Sequence, residues 1–376
     1  MTDYYTTLVQ AIEAAGLHRP VLVLDQSRLT ANLTTLHQTL PDSIALRLAD
    51  KSLPVPDLLQ QGFDALGTQD VMSFHLPLTT KVLGQFPKTR ALMGKPMPVA
   101  AAAQFLADCQ GADRVTWLID SAARLADYRA LSEQSGKSLS IAFEINIGLG
   151  RGGLETPAAL SACLTDTGPL KVQGVMGYEA HVNALPGFLG GGAPAQARAM
   201  QRLQDFVDCL GPDQRQILNT GGSSTVLGLP ANGPGNDFTL GSIMVKPSDF
   251  DQPVNAAIEP ALFIVTPVLK TYPHALPGHP RLAKLLQATR LIRDRIAFVY
   301  GGKWMAKPVW PEDLSTSPFF DASSNQQGFC LPRGVDAPSH MVLRPTQSEA
   351  VLQQFPAVHV FDGEAITSEM APFPIV

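Results

Sequence analysis

The sequence predicts a (β/α)8 barrel followed by a mostly β C-terminal domain. From residue 21 to about residue 224, short apolar runs alternate with helical patterns, which is typical of right-handed βαβ units and a parallel sheet. After Gly241 this alternation ends, and strand patterns are separated by connections rich in Pro and Gly. Because eight strand patterns precede that change, we favour a closed barrel, with an open doubly wound sheet as the alternative.

The elements are predicted from the period of the apolar residues. The predicted barrel strands are Val21–Asp25, Ile44–Ala49, Ala65–Thr68, Arg90–Met93, Val115–Asp120, Ser140–Ile147, Val172–Tyr178 and Gln216–Asn219. The helical patterns between them are Gln26–Leu40, Pro98–Cys109, Ser121–Ser135, Pro157–Thr165 and Pro194–Leu210. The C-terminal strands are Glu259–Tyr272, Arg295–Val299, His340–Arg344 and Ala357–Phe361, with one helix near Leu282–Arg293. We therefore predict a barrel over residues 17–255 and a β domain over 256–376, with residues 1–16 forming a helix that packs against either part.

Composition narrows the class of protein. The net charge of -5 and the pI near 5.9 argue against nucleic acid or an anionic membrane as the main partner. We find no apolar run near the ~20 residues that span a bilayer, and Met1 to Gly16 lacks the pattern of a signal peptide. The four cysteines have no CxxC spacing and are interpreted as free thiols in a reducing compartment. We expect a cytoplasmic protein.

Polar residues recur where the predicted strands end, which is where barrel enzymes carry their chemistry. Lys51 follows the second strand, and two proline residues come soon after it. A lysine in such a place can lose its solvation and its proton and then attack a carbonyl to form a Schiff base. The ordinary alternative is a solvated loop lysine, which is the commoner case when a lysine is considered alone.

The loop after the eighth strand is suited to a phosphate. Gly221, Gly222 and Ser223 allow backbone N–H groups to converge on an anion, and serine hydroxyls add donors. A plain Gly/Ser turn is the alternative, but barrels often bind phosphate after strands seven and eight. Gly241 and Ser242 come just beyond this loop.

Three further side chains belong to the candidate site at the ends of the predicted strands. Arg151 lies in a glycine-rich turn and can reach a phenolate or a carboxylate, although a surface arginine is the alternative. His181 can stack on a cofactor ring or shuttle protons, or can be a satisfied polar residue like many others. Tyr178 also suits a protein core. Together, an early lysine, a central arginine, an aromatic residue with a histidine, and a late phosphate loop indicate a pyridoxal phosphate site.

With these motifs the sequence resembles the fold-type III pyridoxal phosphate enzymes of the alanine racemase class. More narrowly, it resembles the branch that holds D-threonine aldolase, D-serine dehydratase and 3-hydroxyaspartate aldolase or dehydratase. The matching motifs are Arg47-x-x-x-Lys51-Ser52 (with Ala49 where a histidine usually stands), Gly148-Leu149-Gly150-Arg151, Gly177-Tyr178-Glu179-Ala180-His181, Gly221-Gly222-Ser223 and Gly241-Ser242. The resemblance covers nearly the whole chain.

The resemblance implies roles for these residues. Lys51 would be the Schiff-base lysine and a catalytic residue, and His181 would serve both catalysis and cofactor binding. The other implied cofactor-binding residues are Arg151, Tyr178, Gly221, Gly222, Ser223, Gly241 and Ser242. Asn219, at the end of the eighth predicted strand, is predicted to bind the cofactor as well. The related enzymes form homodimers, so a homodimer that takes a small amino-acid substrate is expected.

The sequence departs from that branch near the C-terminus. The branch carries a Pro-x-His-x-Cys (or Asp) element that binds a divalent metal, and here Pro345-Thr346-Gln347-Ser348-Glu349 stands in its place. A second histidine motif is replaced by Ser324-Asn325-Gln326-Gln327-Gly328. Because glutamine is a weak ligand for zinc or manganese, we expect no metal site; a hard cation held by Gln347 and Glu349 is the alternative. Otherwise Glu349 is predicted to be an acid/base or substrate-recognition group, or only to pair with Arg344 or another cation.

These observations lead to one preferred function and two alternatives. We predict a lyase that cleaves a D-configured β-hydroxy amino acid, of the aldolase type in preference to the dehydratase type. The alternative enzyme is an amino-acid racemase, although no tyrosine of the second domain stands in a context that marks it as a second base. A non-catalytic pyridoxal phosphate carrier is the third interpretation, and the C-terminal domain of about 120 residues argues against it.

Overall fold

The computed structural model describes residues 3–183, 186, 190–230, 232–274, 276, 278–317 and 319–374. The chain divides into two compact units. The barrel unit comprises Asn32–Met244, Phe250–Ile258 and Phe373–Val376, and the β unit comprises Met1–Ala31, Val245–Asp249 and Glu259–Pro372. The units alternate along the chain, whereas the sequence predicts one boundary near residue 255. Within the described ranges, no helix is long and apolar enough to cross a membrane.

The regular elements are numbered here in chain order. The strands are β1 (Val21–Asp25), β2 (Ala45–Ala49), β3 (Asp70–Ser73), β4 (Ala91–Met93), β5 (Val115–Ile119), β6 (Ser140–Glu144), β7 (Lys171–Met176), β8 (Ile217–Thr220), β9 (Asp237–Leu240), β10 (Leu262–Pro273), β11 (Arg295–Tyr300), β12 (Ala306–Trp310), β13 (Ser315–Thr316), β14 (Gln326–Cys330), β15 (His340–Pro345), β16 (Val358–Phe361) and β17 (Ile366–Met370). The helices are α1 (Tyr4–Ala14), α2 (Gln26–Thr39), α3 (Pro56–Leu66), α4 (Leu76–Gln85), α5 (Val99–Asp108), α6 (Ala122–Ser135), α7 (Pro157–Leu164), α8 (Ala193–Val207), α9 (Pro280–Ala288) and α10 (Ser348–Leu352).

The barrel unit contains a closed barrel of eight parallel strands, β2 to β9 in order. The barrel followed by a mostly β part is therefore confirmed as the fold class. Strand β9 closes the barrel because it pairs with both β8 and β2. The sequence missed β9, which is short, contains two polar residues and follows a Pro- and Gly-rich stretch.

Two predicted barrel strands are wrong. Val21–Asp25 forms a strand, β1, but it pairs antiparallel with β10 and parallel with β16 in the sheet of the β unit. All five of its residues are buried, so its apolar run fits a central strand of either sheet. Ala65–Thr68 is the end of α3 and the turn after it, and the true strand, β3, begins at Asp70.

The N-terminal helix packs within the β unit. Leu8 and Ile12 of α1 are fully buried in a cluster that also contains Val23, Phe263 and Phe361. This contact answers the question that the sequence left open, because all of these residues belong to β1, β10 and β16 or to the helix itself. Burial of each large apolar side chain contributes roughly 1.5–3 kcal/mol.

The interior of the barrel is not entirely apolar. The buried guanidinium of Arg47 on β2 contacts the buried carboxylate of Asp237 on β9 through Nε (2.8 and 2.9 Å) and Nη2 (2.8 Å). The amide of Asn219 on β8 donates to Asp237 Oδ1 (2.6 Å) and to Thr239 Oγ1 (3.0 Å). This network joins β8, β9 and β2, the three strands whose ends carry most of the predicted site.

Candidate functional site

The predicted site residues of the barrel lie on one continuous arc of strand ends. Arg151 follows β6, the Tyr178–His181 segment follows β7, and the Gly221–Ser224 loop follows β8. Gly241 and Ser242 follow β9, and Lys51 follows β2. These five strands are consecutive neighbours in the barrel, and parallel strands end on the same rim. The structure therefore brings together on one rim groups that are about 190 residues apart in the sequence.

Lys51 lies in a short 3-10 turn, Asp50–Ser52, directly after β2. Its side chain is half-buried, and Nζ is 4.6 Å from the centroid of the Phe74 ring. The neighbouring Asp50 is fully buried, and this burial raises the pKa of its carboxyl to about 7, while the Ser73 hydroxyl and Lys51 act in the opposite direction. A lysine beside an aromatic ring and a buried carboxyl is in an environment unlike that of a solvated loop residue.

Glu179, which the sequence analysis did not single out, holds the Gly221–Ser224 loop after β8. Glu179 is fully buried, and its carboxylate accepts hydrogen bonds from the Thr220 hydroxyl (2.6 Å), the Gly221 N–H (3.2 Å) and the Thr225 hydroxyl. In the sequence it appears only as the variable position of the Gly-Tyr-x-Gly-His motif. No spacing marks it, because its partners lie more than 40 residues further along the chain.

The loops after β8 and β9 are joined to each other. The Ile243 N–H donates to Ser223 Oγ (3.1 Å), and the Asn255 amide donates to the Ser223 carbonyl (3.0 Å). Ser224 Oγ is buried and, among the described residues, has no hydrogen-bond partner. A buried hydroxyl without a partner in a Gly/Ser loop is what a site for a polar ligand requires.

Two glycines in these loops have no room for a side chain. A Cβ on Gly222 would lie 2.6 Å from the ring of Tyr178, and a Cβ on Gly241 would lie 2.9 Å from Ala49 Cβ. Gly221 has a φ of 80°, a conformation that favours glycine. The backbone of this rim is therefore closely packed against Tyr178 and against Ala49, two residues before Lys51.

Arg151, Tyr178 and His181 occupy the other end of the arc. The exposed Arg151 guanidinium is 5.7 Å from the centroid of the Tyr178 ring. Burial raises the pKa of Glu144 at the end of β6, and the charge of Arg151 opposes that rise. The His181 imidazole lies against Gly148, where a Cβ would be 2.8 Å from Nε2, and its buried Nδ1 has no partner among the described residues.

Three predicted site residues, Asn219, Gln347 and Glu349, do not follow the barrel strands as the others do. The Asn219 amide is engaged inside the barrel with Asp237 and Thr239, and its role in cofactor binding stays a prediction. Gln347 and Glu349 belong to the β unit, where the Gln347 amide donates to Asp249 Oδ2 (3.2 Å) and Glu349 lies in the first turn of α10. In the part of the chain that the structure describes, no cluster of three His, Cys, Asp or Glu residues is arranged to hold a metal ion.

Comparisons with known proteins agree with this architecture. The sequence model of the family "Alanine racemase, N-terminal domain" matches residues 88–247. No curated protein sequence matches the chain significantly. Among solved structures, D-threonine aldolase from Filomicrobium marinum is similar with a TM-score of 0.73 and 16% identity, over 94% of this chain and 97% of that one.

Two further structures have the same fold. D-threo-3-hydroxyaspartate dehydratase from Delftia sp. HT23 is similar with a TM-score of 0.74 and 15% identity, over 95% of this chain and 98% of that one. Alanine racemase from Clostridium difficile 630 in complex with cycloserine has a TM-score of 0.67 and 11% identity, over 95% and 99%. The chain thus has the alanine racemase-like fold, and the resemblance predicted from its motifs is confirmed.

Proposed function

We propose that this chain is a pyridoxal phosphate-dependent enzyme that acts on an amino acid. The observation that carries the proposal is the position of Lys51 directly after β2, because β2 pairs with β9 and β9 pairs with β8, and the two Gly/Ser loops follow β8 and β9. A lysine amine and a phosphate cradle on adjacent strands are the two attachments that a phosphorylated aldehyde needs. The buried Ser224 hydroxyl, for which the described residues offer no partner, and the closely packed Gly222 and Gly241 fit such a group.

Each residue of the arc has a distinct part in this proposal. The Lys51 amine would hold the aldehyde carbon, and the backbone and hydroxyls of Gly221–Ser224, Gly241 and Ser242 would hold the phosphate. Arg151 and Tyr178 would orient the ring, and His181 would hold or move a proton through its imidazole nitrogens. When bound, pyridoxal phosphate serves as an electron sink for a bond broken at the substrate Cα.

We further propose a D-configured β-hydroxy amino acid as the substrate, cleaved in the manner of an aldolase in preference to a dehydratase. Two structures with TM-scores of 0.73 and 0.74 act, by their names, on such substrates, whereas the alanine racemase scores 0.67. Retro-aldol cleavage requires a base at the β-hydroxyl. His181 on the rim and Glu349 in the β unit are the candidates for that base. We expect the reaction to proceed without a divalent metal, in a homodimer.

An amino-acid racemase is the second candidate, because the fold and the match over residues 88–247 are shared with alanine racemase. A non-catalytic pyridoxal phosphate carrier is the third. The β unit, with its nine-stranded sheet, argues against a carrier, because such carriers resemble the barrel alone.

Product analysis tests the proposal. Purified protein loaded with pyridoxal phosphate is given D-threonine, D-serine or D-3-hydroxyaspartate, with and without EDTA. Glycine plus an aldehyde supports the aldolase reaction, whereas a 2-oxo acid plus ammonia changes the assignment to a dehydratase. Interconversion of D- and L-alanine without either product would show a racemase and overturn the lyase. A complete loss with EDTA that metal restores would contradict the metal-free reaction.

A further inference from the structure

The residue before Lys51 carries a buried carboxyl that the proposed function does not use. Asp50 is fully buried, begins the turn that presents Lys51, and follows the buried end of β2. Its Oδ2 contacts the hydroxyl of Ser73 at the end of the neighbouring strand β3. Among the described residues, its Oδ1 has no hydrogen-bond partner. A buried carboxylate with one oxygen unsatisfied is costly unless a nearby positive charge compensates it.

Lys51 provides that positive charge. Burial is the main cause that raises the pKa of Asp50 to about 7, and the Ser73 hydrogen bond, the Lys51 N–H and the Lys51 ammonium act against the rise. The elements that pack against the turn, β3 and α4 with its preceding residue, also carry Asp70, His75 and Lys81. Arg47 on β2 is engaged by Asp237. Lys51 is the residue next to Asp50 in this turn, and its charge acts to lower the pKa of the carboxyl.

The hydroxyl groups beside Asp50 accommodate either protonation state. Ser73 Oγ and Thr79 Oγ1 are 2.5 Å apart and either can donate, and Thr79 Oγ1 is 3.1 Å from the His75 carbonyl. When Asp50 is a neutral acid, it donates to Ser73, Ser73 donates to Thr79, and Thr79 donates to that carbonyl. When Asp50 is ionised, Ser73 donates to Asp50 and Thr79 donates to Ser73. The hydrogen bonds among Asp50, Ser73 and Thr79 reverse direction, and the His75 carbonyl, which loses the Thr79 hydroxyl, keeps the Thr79 N–H as a donor (2.9 Å).

We propose that near pH 8 Asp50 balances the charge of Lys51: its carboxyl is ionised while Lys51 is an ammonium, and it takes up a proton when Lys51 becomes uncharged. One proton leaves Lys51 and one arrives at Asp50, so the net charge of the pair stays at zero. Because a lysine must be uncharged to attack a carbonyl, this exchange removes the cost of leaving a lone carboxylate in the barrel. Asp50 acts through Lys51 and is a positioning residue; its use in the reaction rests on the proposed function, but the charge balance does not.

Difference infrared spectroscopy on the cofactor-free protein tests this inference, because a protonated carboxyl has a C=O stretch separate from that of a carboxylate. Near pH 8 we expect no Asp50 acid band in the wild type and a clear band in Lys51→Met. The band should disappear in the double variant Lys51→Met/Asp50→Asn. The pH midpoint of the band should rise by about one to three pH units when Lys51 is neutralised.

Two controls keep the test decisive. Lys81→Met removes an ammonium from α4, the helix that carries Thr79, and should give no band near pH 8. Lys51→Gln repeats the neutralisation with a polar side chain should Lys51→Met prove insoluble. A folded Lys51 variant without the band, or with an unmoved midpoint, overturns the inference. Failure of the proposed function would instead appear as missing products while the band behaves as described.

Discussion

Arg47 and Asp237 form a buried ion pair between β2 and β9, the two strands that close the barrel. The pair has three contacts of 2.8 to 2.9 Å, and Asn219 adds a further donor to the carboxylate. The polar core of the barrel is thus directly beneath the strand ends that carry Lys51 and the Gly/Ser loops.

Removing one partner of this pair should destabilise the protein strongly. We expect Asp237→Ala to lower the free energy of unfolding by about 3–5 kcal/mol, because it leaves the buried guanidinium with only the more distant Asp70 carboxylate, 3.8 Å away. Arg90→Ala is the matched control, since Arg90 pairs with Asp70 but its side chain is 73% exposed, and it should cost at most about 1 kcal/mol. Urea denaturation measures the free energy of unfolding of both variants. Equal losses in the two variants would show that burial does not determine how much such an ion pair contributes to stability.

Lys51 is predicted to attach the cofactor covalently. In Lys51→Ala, borohydride reduction should no longer fix pyridoxal phosphate to the protein, because the amine that attacks the aldehyde is missing. Mass spectrometry of the reduced protein measures the attachment. Lys95→Ala is the control, since Lys95 is an exposed lysine that follows β4 on the same rim, and it should retain the cofactor. A reducible cofactor in Lys51→Ala would assign that role to another lysine.

Glu179 is predicted to hold the loop after β8 in shape. Glu179→Gln presents an NH₂ group where three donors converge, so we expect a loss of about 1–3 kcal/mol in stability and weaker binding of pyridoxal phosphate. Thermal unfolding of the cofactor-free protein and fluorescence titration measure the two effects. Glu155→Gln, at an exposed carboxylate that accepts from Asn146, should change neither. Unchanged binding of pyridoxal phosphate in Glu179→Gln would show that the loop after β8 does not hold the cofactor.

The close packing at Gly222 makes the site sensitive to one methyl group. Gly222→Ala would place Cβ 2.6 Å from the Tyr178 ring, so the ring or the loop must move and affinity for pyridoxal phosphate should fall. Gly84→Ala is the control: Gly84 lies in α4 with open space around it, and the change should stabilise the protein by about 0.5–1 kcal/mol. Isothermal titration and thermal unfolding distinguish a local effect from a global one, and full affinity in Gly222→Ala would exclude the tight contact.

Asp50 should make stability depend on pH. Its pKa rises from 3.8 to about 7 on folding, so the folded state retains a proton that the unfolded state releases in this interval. The resulting stabilisation is complete below about pH 4 and is lost as the pH rises to about 7. Asp50→Asn should therefore be more harmful near pH 5 than near pH 8, by up to about 3 kcal/mol.

Chemical denaturation at those two pH values measures the difference. The control is Asp64→Asn, at an exposed carboxylate on α3, whose effect on stability should be the same at both. A pH-independent effect of Asp50→Asn would show that the carboxyl does not take up a proton on folding.

The sequence by itself determined the class of fold and the rim residues of the candidate site. Period-two and helical patterns repeat locally, and motifs such as Gly221-Gly222-Ser223 depend on backbone conformations that only a few residue types allow. Only the tertiary structure decided where β1 pairs, that β9 closes the barrel, and that Glu179 and Asp50 support the loop and the lysine. The reason is that an apolar strand fits the interior of either sheet, and a buried carboxyl is identified by its partners, which are distant in the sequence and close only after folding.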